Sequence, residues 1–150
     1  MNKPLVLVLS LISAVCILSA DKKKVQEITI SGNDTMQFDL KTFEVNAGDK
    51  IKLTFKNIGK IPKIAMGHNL VVLKKGISAI AFGQKAMGAG ANATNALPES
   101  VKGDTIAATK LLGPAESDTI LFTAPEAGDY EYVCTIPGHF VGMRGVMRVK

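Results

Sequence analysis

Short stretches of alternating apolar and polar residues recur along most of the chain, and they restrict its fold more than any other feature. In the clearest of them Ile51, Leu53 and Phe55 alternate with lysine and threonine. A two-residue period of this kind is typical of a strand with one buried face. We predict strands over residues 25–31, 43–45, 51–56, 69–73, 119–123, 129–133 and 145–150. Gly, Asn, Asp and Pro turns separate most of them, which predicts an all-β sandwich or barrel of antiparallel strands.

Residues 76–110 break this pattern. Ile80, Ala81 and Phe82 lie among good helix formers, and a stretch rich in Gly, Ala and Asn follows them. We predict one short helix over residues 78–87 and an excursion loop after it. The 150 residues suit a single domain, and 47% apolar against 21% charged residues argues against disorder.

The first 20 residues have the pattern of a secretory signal peptide. Lys3 precedes an almost wholly apolar stretch, and small residues lead to a charged segment after Ala20. We predict cleavage after Ala20, which leaves a mature domain of residues 21–150 without a membrane span. Two alternatives stay open: an uncleaved anchor helix, and a lipoprotein signal in which Cys16 carries the lipid.

The charge pattern gives no support to nucleic-acid binding. The chain has 18 Lys and Arg against 13 Asp and Glu, a net charge of +5 that is spread along its length. No basic run contains interleaved aromatic residues, which are typical of nucleic-acid-binding segments.

One thiol and two imidazoles are candidate metal ligands. If Cys16 leaves with the leader, Cys134 is the only thiol of an exported domain. His139 lies five residues after Cys134, and Met143 lies four residues after His139. His68 is the other histidine of the chain. Thiolate and thioether donors favour copper, and two His with one Cys and a weak axial Met is the blue-copper arrangement.

These donors can converge only if the chain bends between them. On a straight strand Cys134 and His139 would point to opposite faces, because side chains alternate. Pro137 and Gly138 lie between them and predict a tight loop that turns the donors inward.

The stretch 134–143, together with Met66-Gly67-His68-Asn69, resembles the azurins, which are bacterial cupredoxins. The resemblance extends over nearly all of the predicted mature chain and includes residues 32–38 and 109–113. The Cys-x4-His-x3-Met spacing is similar to that of azurins rather than plastocyanins. It implies an eight-stranded Greek-key sandwich, with one type 1 copper ion, that works as a monomeric one-electron carrier in the periplasm.

The resemblance also implies a role for each residue of the site. Asn69 and Thr135 would lie behind the ligands and lock the two ligand loops by hydrogen bonds. Met143 would be the long axial ligand, and the Gly67 carbonyl would be a distant contact on the opposite side. The three strong ligands would be His68, Cys134 and His139.

In azurins an apolar surface around the second histidine is the docking site for redox partners. The implied partners are transient, such as c-type cytochromes or a terminal reductase, and a surface with few charges suits short-lived encounters. The alternative interpretation is that these residues belong to the core. The candidate residues are Ile61, Pro62, Ala65, Met66, Met87, Phe140 and Val141.

Other functions explain fewer of the candidate residues. A copper oxidase or nitrite reductase needs a second copper site, and the chain has no third histidine for it. A thiol hydrolase would use Cys134, His139 and Asn69 but would leave His68 and Met143 without a role. We therefore expect no enzyme. A copper-storage or copper-delivery protein and a structural zinc site remain as alternatives.

Overall fold

The computed structural model describes residues 24–150, so the predicted signal peptide, its cleavage after Ala20 and the lipidation of Cys16 lie outside the described residues. None of the helices in residues 24–150 is long and apolar enough to cross a membrane. The strands are β1 (Val25–Asn33), β2 (Gln37–Phe38), β3 (Thr42–Val45), β4 (Lys50–Asn57), β5 (Val71–Leu73), β6 (Thr105–Ala108), β7 (Ser117–Thr123), β8 (Gly128–Val133) and β9 (Arg144–Val149). The helices are α1 (Lys63–Met66) and α2 (Ala79–Gly88), with 3₁₀ turns at Glu99–Asp104 and His139–Val141.

The strands form two packed sheets, which confirms the predicted β-sandwich. One sheet has the order β2-β1-β4-β7 and the other the order β3-β9-β8-β5-β6. The pairs β1–β4 and β3–β9 are parallel, so the prediction of wholly antiparallel strands is wrong for these two pairs. In both pairs the strands are not consecutive in the chain, and the intervening segments cross to the other sheet, which allows parallel pairing.

All seven predicted strands are present, with ends that differ by a few residues at most, and α2 confirms the predicted short helix. Strands β2 and β6 and helix α1 were not predicted. Strand β2 has two residues and helix α1 has four, which is too short for a periodic signal. Strand β6 has no buried face, because each of its four residues is half-buried.

Two apolar clusters hold the domain together. The larger lies between the sheets and includes Leu53, Phe55 and Tyr132, all with no exposed surface. The second joins Phe82 of α2 to Val71 and other residues of the five-stranded sheet. Helix α2 therefore covers the outer face of that sheet, near the turn that carries His139.

Candidate metal centre

His68 lies three residues before β5, where a short bridge to Leu112 holds it. Its backbone N–H donates to the Leu112 carbonyl over 3.0 Å, and the Leu112 N–H donates back over 2.8 Å. Helix α1 ends just before it, with the Gly67 N–H bonded to the Lys63 carbonyl. A Cβ atom at Gly67 would lie 2.7 Å from the Lys63 carbonyl oxygen, so only glycine allows the chain to pass this close to α1 just before His68.

The other candidate ligands lie on the loop between the antiparallel strands β8 and β9. Cys134 and Met143 stand at the two ends of this loop, where the Cys134 N–H donates to the Met143 carbonyl over 3.0 Å. Gly138 has a φ of 84°, a left-handed conformation that favours glycine. The turn at His139 follows, and the Met143 N–H donates to the His139 carbonyl over 2.8 Å. The predicted reversal at residues 137–138 is confirmed, and it brings His139 back towards Cys134.

The structure brings His68, Cys134 and His139 together. One ligand atom from each lies within 4.8 Å of the others, and all three residues are buried. The Cys134 Sγ atom is 3.7 Å from His139 Nδ1, and the two Nδ1 atoms of the histidines are 3.1 Å apart. The thiol and both ring nitrogens therefore face one small volume.

Met143 is fully buried in the same apolar cluster as Cys134. Its Cε atom would be 2.4 Å from a side chain at Gly32, so the absence of a side chain at Gly32 makes room for the thioether. This donor set fits a soft cation such as copper, since thiolate and thioether are its preferred ligands. The contact of the Gly67 carbonyl and the axial role of Met143 remain predictions.

Burial keeps the metal-free site uncharged. It raises the pKa of the Cys134 thiol to about 11, although the backbone N–H groups of Asn69 and Ile136 favour the thiolate. Burial, together with the neighbouring His68, lowers the pKa of His139 to about 4. Burial also lowers the pKa of His68. Near neutral pH both imidazoles are neutral and ready to bind, whereas the Cys134 thiol must lose its proton to solvent when a metal binds.

These shifts predict how the stability of the metal-free domain depends on pH. Between about pH 4 and 6.5 the unfolded chain protonates His139 while the folded chain does not, so stability rises with pH by up to about 3 kcal/mol. Above about pH 9 the unfolded chain ionises Cys134 first, and stability falls as pH rises towards 11.

Urea unfolding of the metal-free protein at a series of pH values measures this dependence. The variant His139→Gln keeps a polar side chain without the titration, so the slope between pH 4.5 and 6.5 should fall by the share of His139 and keep the share of His68, whose pKa is also lowered. An equal slope in both proteins would contradict the assignment to His139.

Asn69 connects the two ligand segments behind the metal-binding atoms. The Thr135 N–H donates to Asn69 Oδ1 over 2.9 Å, and Asn69 Nδ2 donates to Thr135 Oγ1 over 2.8 Å. The Thr135 hydroxyl in turn donates to the Ala96 carbonyl of the excursion loop. Asn69 and Thr135 have no exposed surface, so water cannot replace these bonds. Asn69 and Thr135 therefore join the two segments through buried hydrogen bonds, and their role in locking the loops around a metal stays a prediction.

Replacing Asn69 with alanine should destabilise the domain by about 2 to 3 kcal/mol, because the buried Thr135 N–H loses its acceptor and the Thr135 hydroxyl keeps only its bond to Ala96. Asn92→Ala is the matched control. Asn92 makes three hydrogen bonds with its oxygen, but it is exposed, so water substitutes and the loss should stay below about 1 kcal/mol. Chemical unfolding of both variants measures the difference, and equal losses would contradict the bridging role of Asn69.

Most of the predicted docking residues are exposed, but Phe140 is not. Phe140 is 5% exposed and packs into the cluster under α2, so its placement on the surface was wrong. Phe140 points inward because Gly83 of α2 has no side chain and leaves space for the Phe140 ring. Met66 is half-buried, and the exposed members are Ile61, Pro62, Ala65, Met87 and Val141. Ile64, which is 71% exposed on the four-residue helix α1, was not among the predicted residues, because so short a helix gives no periodic signal.

Known proteins resemble this chain over most of its length. The family model described as copper binding proteins, plastocyanin/azurin family, matches residues 24–150. The chain is 39% identical over 130 residues to Azurin-2 of Alcaligenes xylosoxydans xylosoxydans. This alignment covers 82% of the present chain and 96% of Azurin-2. The chain is 36% identical over 127 residues to the azurin of Alcaligenes faecalis, with coverages of 82% and 97%.

Solved structures show the same relationship. The structure of dithionite-reduced auracyanin from Roseiflexus castenholzii matches with a TM-score of 0.71 and 39% identity, over 83% of this chain and 96% of that one. Auracyanin A of Chloroflexus aurantiacus, described as a blue copper protein, matches with a TM-score of 0.72 and 32% identity, over 84% and 99%. The buried Cys and His cluster is compatible with a single type 1 copper ion. On the strength of the family match and these relatives, the chain belongs to the copper-binding plastocyanin/azurin family.

Proposed function

We propose that the protein is a one-electron carrier that exchanges electrons with redox partner proteins in the bacterial periplasm. The observation that carries this proposal is the enclosed cluster of His68, Cys134 and His139, whose donor atoms lie within 4.8 Å of one another. A bound type 1 copper ion supplies a one-electron couple between Cu(II) and Cu(I). His68, Cys134 and His139 would be the strong ligands, with Met143 and the Gly67 carbonyl as weaker contacts.

The frame around the cluster suits repeated electron exchange. Residues Cys134 and His139 are fixed by backbone hydrogen bonds within the loop, and His68 is fixed by its bridge to Leu112. Donors that are already in place need little movement when the charge of the site changes. The surrounding apolar side chains exclude water and lower the local dielectric, which disfavours the more highly charged oxidised state.

His139 is the proposed point of exit for the electron. It is 5% exposed, whereas His68, Cys134 and Met143 have no exposed surface. The exposed Val141 lies two residues away on the same turn, with 62% of its surface accessible. We define the apolar patch as Ile61, Pro62, Ile64, Ala65, Met66, Met87 and Val141. A partner that docks there would come close to the His139 ring.

Loading with Cu(II) tests the proposal. The purified domain should develop an intense blue colour that a mild reductant bleaches reversibly, and the reduced form should pass its electron to a c-type cytochrome. A pale complex without reversible exchange would contradict the carrier function and favour copper storage or delivery. The burial of the cluster argues against delivery, because delivery sites are accessible to the protein that receives the metal.

Replacing Val141 with glutamate should slow electron exchange with a c-type cytochrome on the order of tenfold, because docking would desolvate an unpaired charge. The blue absorption should barely change, since the Val141 side chain points away from the buried ligands. Met66→Lys should act in the same direction. Stopped-flow mixing measures the exchange rate.

Leu121→Glu is the matched control for Val141→Glu. Leu121 is 73% exposed on β7 and pairs with Lys52, near the start of β4. The other end of β4 is the one near the metal centre, because Asn57 Nδ2 donates to the carbonyl of Leu112, which bridges to His68. The variant Leu121→Glu introduces the same charge in place of an exposed aliphatic residue. Its exchange rate should stay within about twofold of that of the unmodified protein. Equal slowing by both variants would exclude the apolar patch as the docking site.

A further inference from the structure

A basic hollow lies beside the turn that carries His139, and the copper chemistry does not use it. We define the basic hollow by Lys41, Glu131, Val141, Gly142 and Arg144, which line a space of about 380 Å³. Gly142 and Arg144 flank Met143 in the chain, so one wall is the backbone on either side of this buried residue. Val141 belongs to both the hollow and the apolar patch. A partner that contacts Val141 would therefore also lie against the lining of the hollow.

The fold holds Lys41 and Arg144 side by side. Lys41 precedes β3 and Arg144 begins β9, and these strands run parallel with Thr42 opposite Val146. The Val146 N–H donates to the Lys41 carbonyl over 2.9 Å. A side chain at Gly145 would meet the Lys41 carbonyl at 2.7 Å, so glycine permits the close approach of the two strands.

Both cations are positioned by hydrogen bonds that leave donors free. Lys41 Nζ donates to Gln37 Oε1 over 2.7 Å and to the Gly142 carbonyl over 3.1 Å, which uses two of its three N–H groups. Arg144 Nε donates to the Val141 carbonyl over 3.3 Å. Within residues 24–150 the terminal nitrogens of Arg144 make no hydrogen bond and neither cation forms an ion pair. A guanidinium held in this way can grip a carboxylate with two parallel bonds.

The one acid of the basic hollow can offset only one of its two positive charges, so the hollow keeps a net positive charge. Glu131 Oε2 accepts a hydrogen bond from the Ala79 N–H over 2.9 Å, at the start of α2. Burial and the charge of Arg144 lower the pKa of Lys41. The repulsion between Lys41 and Arg144 would be relieved by an anion placed between them.

We propose that the basic hollow receives an acidic side chain of the redox partner while the apolar patch makes the remaining contact. This inference rests on the proposed electron-carrier function and adds the charge of the partner's docking face to it. Lys41 and Arg144 are both exposed, so a free small anion would gain little from them. A carboxylate on a partner already docked at Val141 is present at a high effective concentration, so it occupies the hollow even though the contact itself is weak.

Electron exchange of the copper-loaded protein with two c-type cytochromes tests the proposal, one of net negative and one of net positive charge. At low ionic strength the double variant Lys41→Gln/Arg144→Gln should exchange on the order of tenfold more slowly with the acidic cytochrome. Its rate with the basic cytochrome should not fall. The difference should vanish near 1 M salt, where the screening length is about 3 Å.

Lys50→Gln/Lys74→Gln is the matched control, because it removes the same charge at the opposite end of the sandwich. Lys50 begins β4 and Lys74 follows β5, and both are exposed. This control should change either rate by less than about twofold. Equal slowing in the two double variants would overturn the inference but leave the carrier function intact. If neither cytochrome exchanged electrons with the unmodified protein, the carrier function itself would fail.

A titration with inorganic phosphate distinguishes a partner's carboxylate from a free anion. Nitrogen-15 NMR of the reduced protein reports on the amides of Gly142 and Gly145, which should show no saturable shift below about 10 mM phosphate. Saturation well below about 1 mM would identify free phosphate as the occupant and overturn the assignment to the partner.

Discussion

Replacing Cys134 with serine should abolish the intense blue colour of the copper-loaded protein. Cys134 is the only cysteine in residues 24–150, and its sulfur lies 3.7 Å from His139 Nδ1 in the enclosed cluster. A serine hydroxyl is a harder donor that stays protonated at neutral pH, so it cannot replace the thiolate that soft copper prefers. Copper affinity should fall by at least about a hundredfold, since losing even an outer hydrogen bond to a ligand costs about 10 to 100-fold.

The visible spectrum after addition of one equivalent of Cu(II) measures this effect, and circular dichroism confirms that the variant is folded. Serine is close in size to cysteine and keeps the backbone hydrogen bond from residue 134 to the Met143 carbonyl. Any change in spectrum therefore reports on the ligand rather than on the fold. A blue band of normal intensity in Cys134→Ser would exclude Cys134 as a ligand.

Replacing Gly83 with alanine should destabilise the domain by about 1 to 3 kcal/mol and disturb the copper spectrum. The new Cβ atom would lie 2.2 Å from Phe140 Cγ and 2.5 Å from Phe140 Cβ, so the ring cannot escape by a change of rotamer alone. Because Phe140 follows His139, its displacement would move a metal ligand as well. Chemical unfolding and the visible spectrum measure the two effects.

Gly88→Ala separates this contact from the general effect of alanine in a helix. Gly88 ends the same helix α2, and a side chain there would meet nothing within 4 Å. This variant should be neutral or more stable by up to about 1 kcal/mol, because alanine favours helix. In a Phe140→Ala background Gly83→Ala should cost less than in the unmodified protein, because the ring is gone and only the contact with the Cβ atom of residue 140 remains. If the two glycine variants had equal stability, Gly83 would have no role in seating Phe140.

The residues of the metal site could be predicted because its signal is local in sequence. The loop between β8 and β9 carries Cys134, His139 and Met143 within ten residues. The chemistry of these donors alone favours copper among the metal ions that proteins bind. Most strands could be predicted for a similar reason, since alternation marks any strand with one buried face. Strand β6 shows the limit of this signal, because its side chains are all half-buried.

The position of Phe140 could not be predicted in this way. An aromatic residue beside a ligand on a loop suits either a docking surface or the core, and the choice depends on Gly83, more than fifty residues earlier. The same holds for Lys41 and Arg144, which are neighbours only because β3 and β9 pair in parallel. Pairing between distant strands is set by packing of the whole domain, which no local pattern encodes.

Sequence alone determined which donor atoms are available, because side-chain chemistry is a property of each residue and its near neighbours. It also determined that the chain forms an all-β domain of short strands, whereas the choice between sandwich and barrel came from the structure. Only the tertiary structure decided which surfaces face inward and that His68 meets a loop about seventy residues away, with the two Nδ1 atoms 3.1 Å apart. Those arrangements depend on long-range burial and close packing, and their free energy is shared by segments far apart in the chain.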